Sequence, residues 1–115
     1  MIKPLRPSLR EKLRYVVFEI ISKEKINFAS ATSAIKKTFF ELYGSYGLSG
    51  AAIKFFPKFW NAEKQRGIVK STHLWAPHLR ASFTLIREIG GQKALVYSLG
   101  TSGTILKARE KYFEI

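Results

Sequence analysis

The side chains that could move protons or hold metal ions are few. All eight carboxylates are Glu, and they are scattered along the chain. Only Glu19 lies inside an apolar run, Tyr15-Val-Val-Phe-Glu-Ile-Ile21. A lone strand carboxylate is expected to pair with a Lys or Arg rather than to act as acid or base. His73 and His78 have no third ligand candidate near them, whereas zinc takes at least three protein ligands. Ser8, Ser22 and the Ser/Thr residues of 101–104 have no nearby His to serve as base. The loop from Gly44 to Gly50 has three glycines but no Gly-Lys-Ser/Thr ending, so it is no Walker loop. The expectation is a chain that is not itself a catalyst and binds no metal or cofactor.

The chemistry the sequence does supply is cationic. Twenty Lys plus Arg against eight acidic residues give +12 over 115 residues. The default partner is nucleic acid, ahead of an anionic membrane surface. Residues 1–14 hold Lys3, Arg6, Arg10, Lys12 and Arg14 against Glu11 alone, with Pro4 and Pro7 opposing a helix. They read as a basic arm that follows a partner, and 15–115 as one domain. Further candidate RNA contacts are Lys54 and Lys58 on one strand, and Lys107, Arg109 and Lys111 within five positions near the end. The turn Ser102-Gly103-Thr104 opens a helix, so its backbone N–H groups suit one phosphate. It reads equally well as a plain helix cap.

Apolar residues are 46% and aromatics 14%, so the chain can bury a core. There is no Cys, which excludes disulfides and fits a reducing compartment, the cytoplasm. No apolar run approaches the roughly 20 residues of a membrane span, and the first residues contain no apolar signal region.

These cations need elements to hold them. Alternation and β-branched content predict strands near 14–22, 51–60, 67–73 and 93–99. Helical spacing predicts helices near 29–43 and 76–89, with a third near 102–113. Asn27 or Ser30 should cap the first, and Thr101 or Ser102 the last. Gly44–Gly50 reads as a loop and Gly90-Gly91 as the stop of the second helix. Pro57 puts its strand at an edge or at a break. The order β-α-β-β-α-β specifies an α+β fold, a ferredoxin-like or RRM-like antiparallel sheet sandwich with two helices on one face. The added C-terminal helix should cover the other face or one end. The third strand has no aromatic for base stacking, so any RNA should be held by phosphates and shape. Phe40, Trp60 and Trp75 are candidates for a protein partner or for the edge of the core.

Four segments resemble one family. They are Pro7-Ser-Leu-Arg-Glu-Lys-Leu-Arg-Tyr-Val-Val-Phe-Glu-Ile-Ile21, Leu42-Tyr-Gly-Ser-Tyr-Gly-Leu48, the stretch from Gly67 to Ile89 with Leu79-Arg-Ala-Ser-Phe-Thr-Leu-Ile86, and Leu99-Gly-Thr-Ser-Gly-Thr-Ile105. In this order they are similar to the archaeal and eukaryotic ribonuclease P protein component 2. The resemblance implies a non-catalytic subunit of a ribonucleoprotein that removes the 5′ leader from precursor tRNA, the catalyst being an RNA that uses Mg²⁺. It implies ribonuclease P RNA, protein component 3 and the other ribonuclease P proteins as partners, with precursor tRNA contacted indirectly and no membrane. It admits a homodimer within the complex. Leu106 and Glu110 depart from the basic last helix expected, which leaves that helix open to RNA or to a protein partner. Rival readings are another structured-RNA-binding protein of ribosomal type on the same fold, and a protein-interaction module.

Overall fold

The computed structural model describes residues 12–112. The elements are β1 (Leu13–Ser22), α1 (Phe28–Ala51), β2 (Lys54–Phe55), β3 (Arg66–Thr72), α2 (Ala76–Phe83), β4 (Glu88–Ile89), β5 (Gln92–Ser102) and α3 (Ile105–Tyr112). The strands form one antiparallel sheet in the order β2-β3-β1-β5-β4. Without the short β4 this is the strand order of a split βαβ fold, as expected.

β1 is central because both of its faces are apolar. Val16, Phe18 and Ile20 face α1 and α2, in a core with Ile35, Phe39, Val69, Leu79, Phe83 and Val96. Val17 points the other way and packs with Ile68 under Ala108 of α3. The third helix therefore covers the second face of the sheet. Phe18 is fully buried and meets Phe55, Trp60 and Phe83 at ring distances of 6.0–6.3 Å. Burial of such a side chain contributes about 1.5–3 kcal/mol.

Several predicted boundaries shift, each for a local reason. Asn27 caps α1, accepting from the Ser30 N–H at 2.8 Å. The helix does not end at Tyr43. It bends at Gly44 (φ 68°, ψ −167°) and continues to Ala51, so the expected loop is helical. Gly47 and Gly50 are there for close approach: a Cβ on Gly50 would lie 2.5 Å from the Trp75 indole nitrogen. The strand expected over 51–60 shrinks to Lys54–Phe55, because Pro57 starts a 3₁₀ turn, Pro57–Phe59. α2 stops at Phe83, not at 89. The hydroxyls of Ser82 and Thr84 bond the carbonyls of Leu79 and Ala81 and compete with the helical ladder. Gly90 and Gly91 (φ 60° and 83°) are then the turn of a tight hairpin joining β4 to β5, not a helix stop. β5 runs through Gly100 to Ser102, with Leu99 bulged where the register on β1 shifts. α3 starts at Ile105, and its cap is Thr104, whose hydroxyl accepts the Lys107 N–H at 3.2 Å.

Candidate nucleic-acid interface

Tertiary contacts sort the predicted cations into two groups. The first is a shelf along the edge of the sheet beside α3. Lys54 and Lys70 are directly opposed across β2 and β3. The Lys54 ammonium stands 5.7 Å from the centre of the Phe56 ring, and Lys58 stands 5.9 Å from that of Phe59. The Arg109 guanidinium lies over the same Phe59 ring at 4.9 Å. Phe56 and Phe59 are 6.0 Å apart, and Tyr15 extends the row, 6.1 Å from Phe56. Like charges directly opposed on a sheet are destabilising. None of Lys54, Lys58, Lys70 and Arg109 is ion-paired with a described carboxylate. A polyanion laid on the shelf would relieve that repulsion.

α3 reaches the shelf because Ile105, Ala108 and Tyr112 face the sheet. The Tyr112 ring packs against Gly100, where an added Cβ would collide with it. Arg66 fixes the far end of the helix. It donates to Glu19 through Nε at 2.6 Å and to the Tyr112 carbonyl through Nη1 at 2.9 Å. Glu19 is thus paired with an arginine, as expected, and its work is to orient Arg66. At 100° per residue Arg109 falls on one flank of α3, and Lys107 and Lys111 on the other. The structure therefore separates those two lysines from Arg109, and Leu106 and Glu110 occupy the outward face.

The second group lines a basin between the starts of α2 and α3, a cavity of about 290 Å³. Arg14, His73, Arg80, Thr101, Ser102 and Gly103 form its walls. Ser102 itself is buried at the end of β5, and Thr104 is committed to capping. The His73 N–H donates to the Lys12 carbonyl at 2.7 Å, so the chain that leads to the arm departs beside the basin. Lys12 is exposed there. Lys3, Arg6 and Arg10 lie outside the described residues.

Three participants escaped the sequence reading. Lys70 joins the shelf only through strand register. Arg80 and His73 join the basin only because α2 starts where β5 ends; nothing in their own neighbourhoods marks them. Tyr97 is also exposed, on the sheet face beyond α3 with Ile21 and Leu95, and the alternation Lys93-Leu95-Tyr97 could have flagged it. Trp60 and Trp75 are partly buried at the edge of the core, whereas Phe40 is half exposed. Among the described residues no group of three or more His, Asp or Glu side chains could hold a metal ion.

One carboxylate intrudes on the shelf. Glu63 flanks Lys58 and Arg109 and accepts from the Lys25 ammonium at 2.9 Å. That hydrogen bond, and then the lysine charge, hold its carboxyl below the usual range.

Residues 14–113 match the Rpp14/Pop5 family. The chain is 36% identical over 115 residues to ribonuclease P protein component 2 of Methanocaldococcus jannaschii, covering 100% of this chain and 83% of that one. It is 32% identical over 115 residues to component 2 of Archaeoglobus fulgidus, covering 99% and 100%. Its fold is similar to that of a chain in the cryo-EM structure of yeast ribonuclease MRP, with TM-score 0.64 and 14% identity over 83% of this chain and 76% of that chain.

Proposed function

This chain belongs to the Rpp14/Pop5 family, and from that premise we propose that it is a non-catalytic protein subunit of ribonuclease P. It binds and stabilises the catalytic RNA that removes the 5′ leader from precursor tRNA. The observation that carries the RNA-binding role is the shelf, where Lys54 opposes Lys70 and neither is paired with a described carboxylate. A folded RNA brings phosphates close together, and this chain places fixed positive charge against them. Each phosphate neutralised releases condensed counterions, which lowers the repulsion between RNA segments. Mg²⁺ acts in this reading with the RNA, not on the protein. Glu19 is engaged with Arg66, and the His73 imidazole Nδ1 lies 3.3 Å from the Lys12 carbonyl, so the two groups best placed for acid–base work have structural contacts.

Component 3 and the other ribonuclease P proteins are the protein partners in this reading, and precursor tRNA is met through the assembled particle. Reconstitution tests it. The chain is added, with and without component 3, to a matching ribonuclease P RNA, and precursor tRNA cleavage is measured. Cleavage at lower Mg²⁺ in the presence of the chain is expected. Cleavage by the RNA-free protein would refute the non-catalytic role.

A further inference from the structure

Resting on the RNA-binding reading above, we propose that the basin between α2 and α3 holds one internal phosphodiester of the RNA, gripped by Arg14 and Arg80. It thereby fixes where an RNA strand passes from the arm onto the folded domain. Three features converge there. The cavity is small, about 290 Å³, at the low end for a ligand site and suited to one phosphate with its sugar. Arg14 and Arg80 both line it, and neither is ion-paired with a described carboxylate. No carboxylate is among the described residues of the wall. Thr101 is also part of the wall, but its hydroxyl is shielded beneath the surface and does not reach a ligand in the basin.

The backbone adds to this. α2 and α3 both start at the basin, and neither has an acidic residue in its first turn. The positive end of α2 therefore lies at the wall and that of α3 just beyond Gly103, with no acidic residue in either first turn to offset them. Arg14 is held by its own bond to the Leu13 carbonyl at 2.9 Å, and its Nη1 stands 4.0 Å from where a Cβ on Gly103 would be. His73 contributes by position, since its backbone ties Lys12 to the rim. An RNA strand following the arm would cross this point, which is why the phosphate is an internal one.

The test uses the full chain and a matching ribonuclease P RNA. Wild type, Arg80→Gln, Arg14→Gln and the double variant are titrated at several salt concentrations, with thermal melts followed by circular dichroism. Each single variant should bind roughly tenfold more weakly. The double variant should flatten the salt slope by about 0.7–0.9 in total, because both arginines grip one phosphate. A fall near twice that size would place them on separate phosphates and overturn the proposal. Ethylation interference on the RNA should show one phosphate whose neutralisation weakens wild type and leaves Arg80→Gln unaffected. Arg80 is exposed, so that variant carries the test even if Arg14→Gln melts early. If removing the RNA 5′ phosphate abolishes the effect, the ligand is a terminal phosphate and the internal assignment fails. Unchanged affinity in Arg80→Gln, with wild type binding normally, rejects the basin alone. Absence of RNA binding by wild type rejects the reading beneath it.

Discussion

The shelf and the basin carry the same sign of charge and use it differently. On the shelf, Lys54, Lys58 and Arg109 stand over Phe56 and Phe59 at 4.9–5.9 Å and are exposed. Cations of this kind accept a phosphate over a range of positions and supply mainly affinity that depends on salt. In the basin, Arg14 and Arg80 flank a cavity whose other walls are backbone and short side chains. Such a site accepts a phosphate in one place and supplies register. Net charge says how strongly RNA is attracted; enclosure says where it is held.

The largest break in this comparison should come from Gly100→Val. The new side chain would meet the Tyr112 ring and push α3 off the sheet. Overpacking of this kind costs about 1–3 kcal/mol, to be read from urea denaturation. Arg109 would leave Phe59, so the shelf should weaken while Lys54 and Lys70 remain. Next in size are two triple changes. Lys54→Ala, Lys58→Ala and Arg109→Ala together should flatten the RNA salt slope by roughly two units. So should Arg6→Ala, Arg10→Ala and Lys12→Ala in the arm, with the fold intact. If the arm instead docks on component 3, its triple variant would keep the RNA slope and lose affinity for that protein.

A single Lys54→Ala change sharpens the contrast through opposite signs. RNA binding should weaken by less than one unit of slope, while the urea midpoint should rise slightly as the clash with Lys70 is relieved. A loss of stability would show that the pair is not strained. The smallest effect should be that of Glu63→Gln. Its lowered pKa means that the bridge to Lys25 stabilises above the ordinary carboxylate range and is lost as pH falls through the lowered value. Since the pair is exposed, the midpoint at neutral pH should hardly move. RNA affinity should rise a little, because a carboxylate has left the shelf. Among the described residues, the basin has none to remove.

Much of the fold was legible because β1 declares itself. Continuous burial over Val16, Val17 and Phe18 needs apolar cover on both sides, and two amphipathic helices plus a third supply it. The Gly44–Gly50 helix was not legible. Glycine signals a turn locally, and only the packing of Trp75, with Tyr43 against Gly47, explains why two glycines sit within a helix. The early end of α2 was hidden for a similar reason, since Ser82 and Thr84 are compatible with a helix until their hydroxyls take its carbonyls.

The sequence by itself determined the charge, the order of the main elements without β4 and the basic composition of residues 1–14, because these depend on composition and on periodicity along the chain. It also marked Lys54, Lys58 and Arg109, since clustered cations are visible wherever they lie. Which cations meet was decided only by tertiary structure. Lys70 reaches Lys54 through the register of an antiparallel pair, and a slip of one residue would put it on the other face. Arg14, Arg80 and Gly103 come from a strand, a helix and a turn far apart in the chain, and they converge because β1, lying beside β5, puts its first residues against the start of α3.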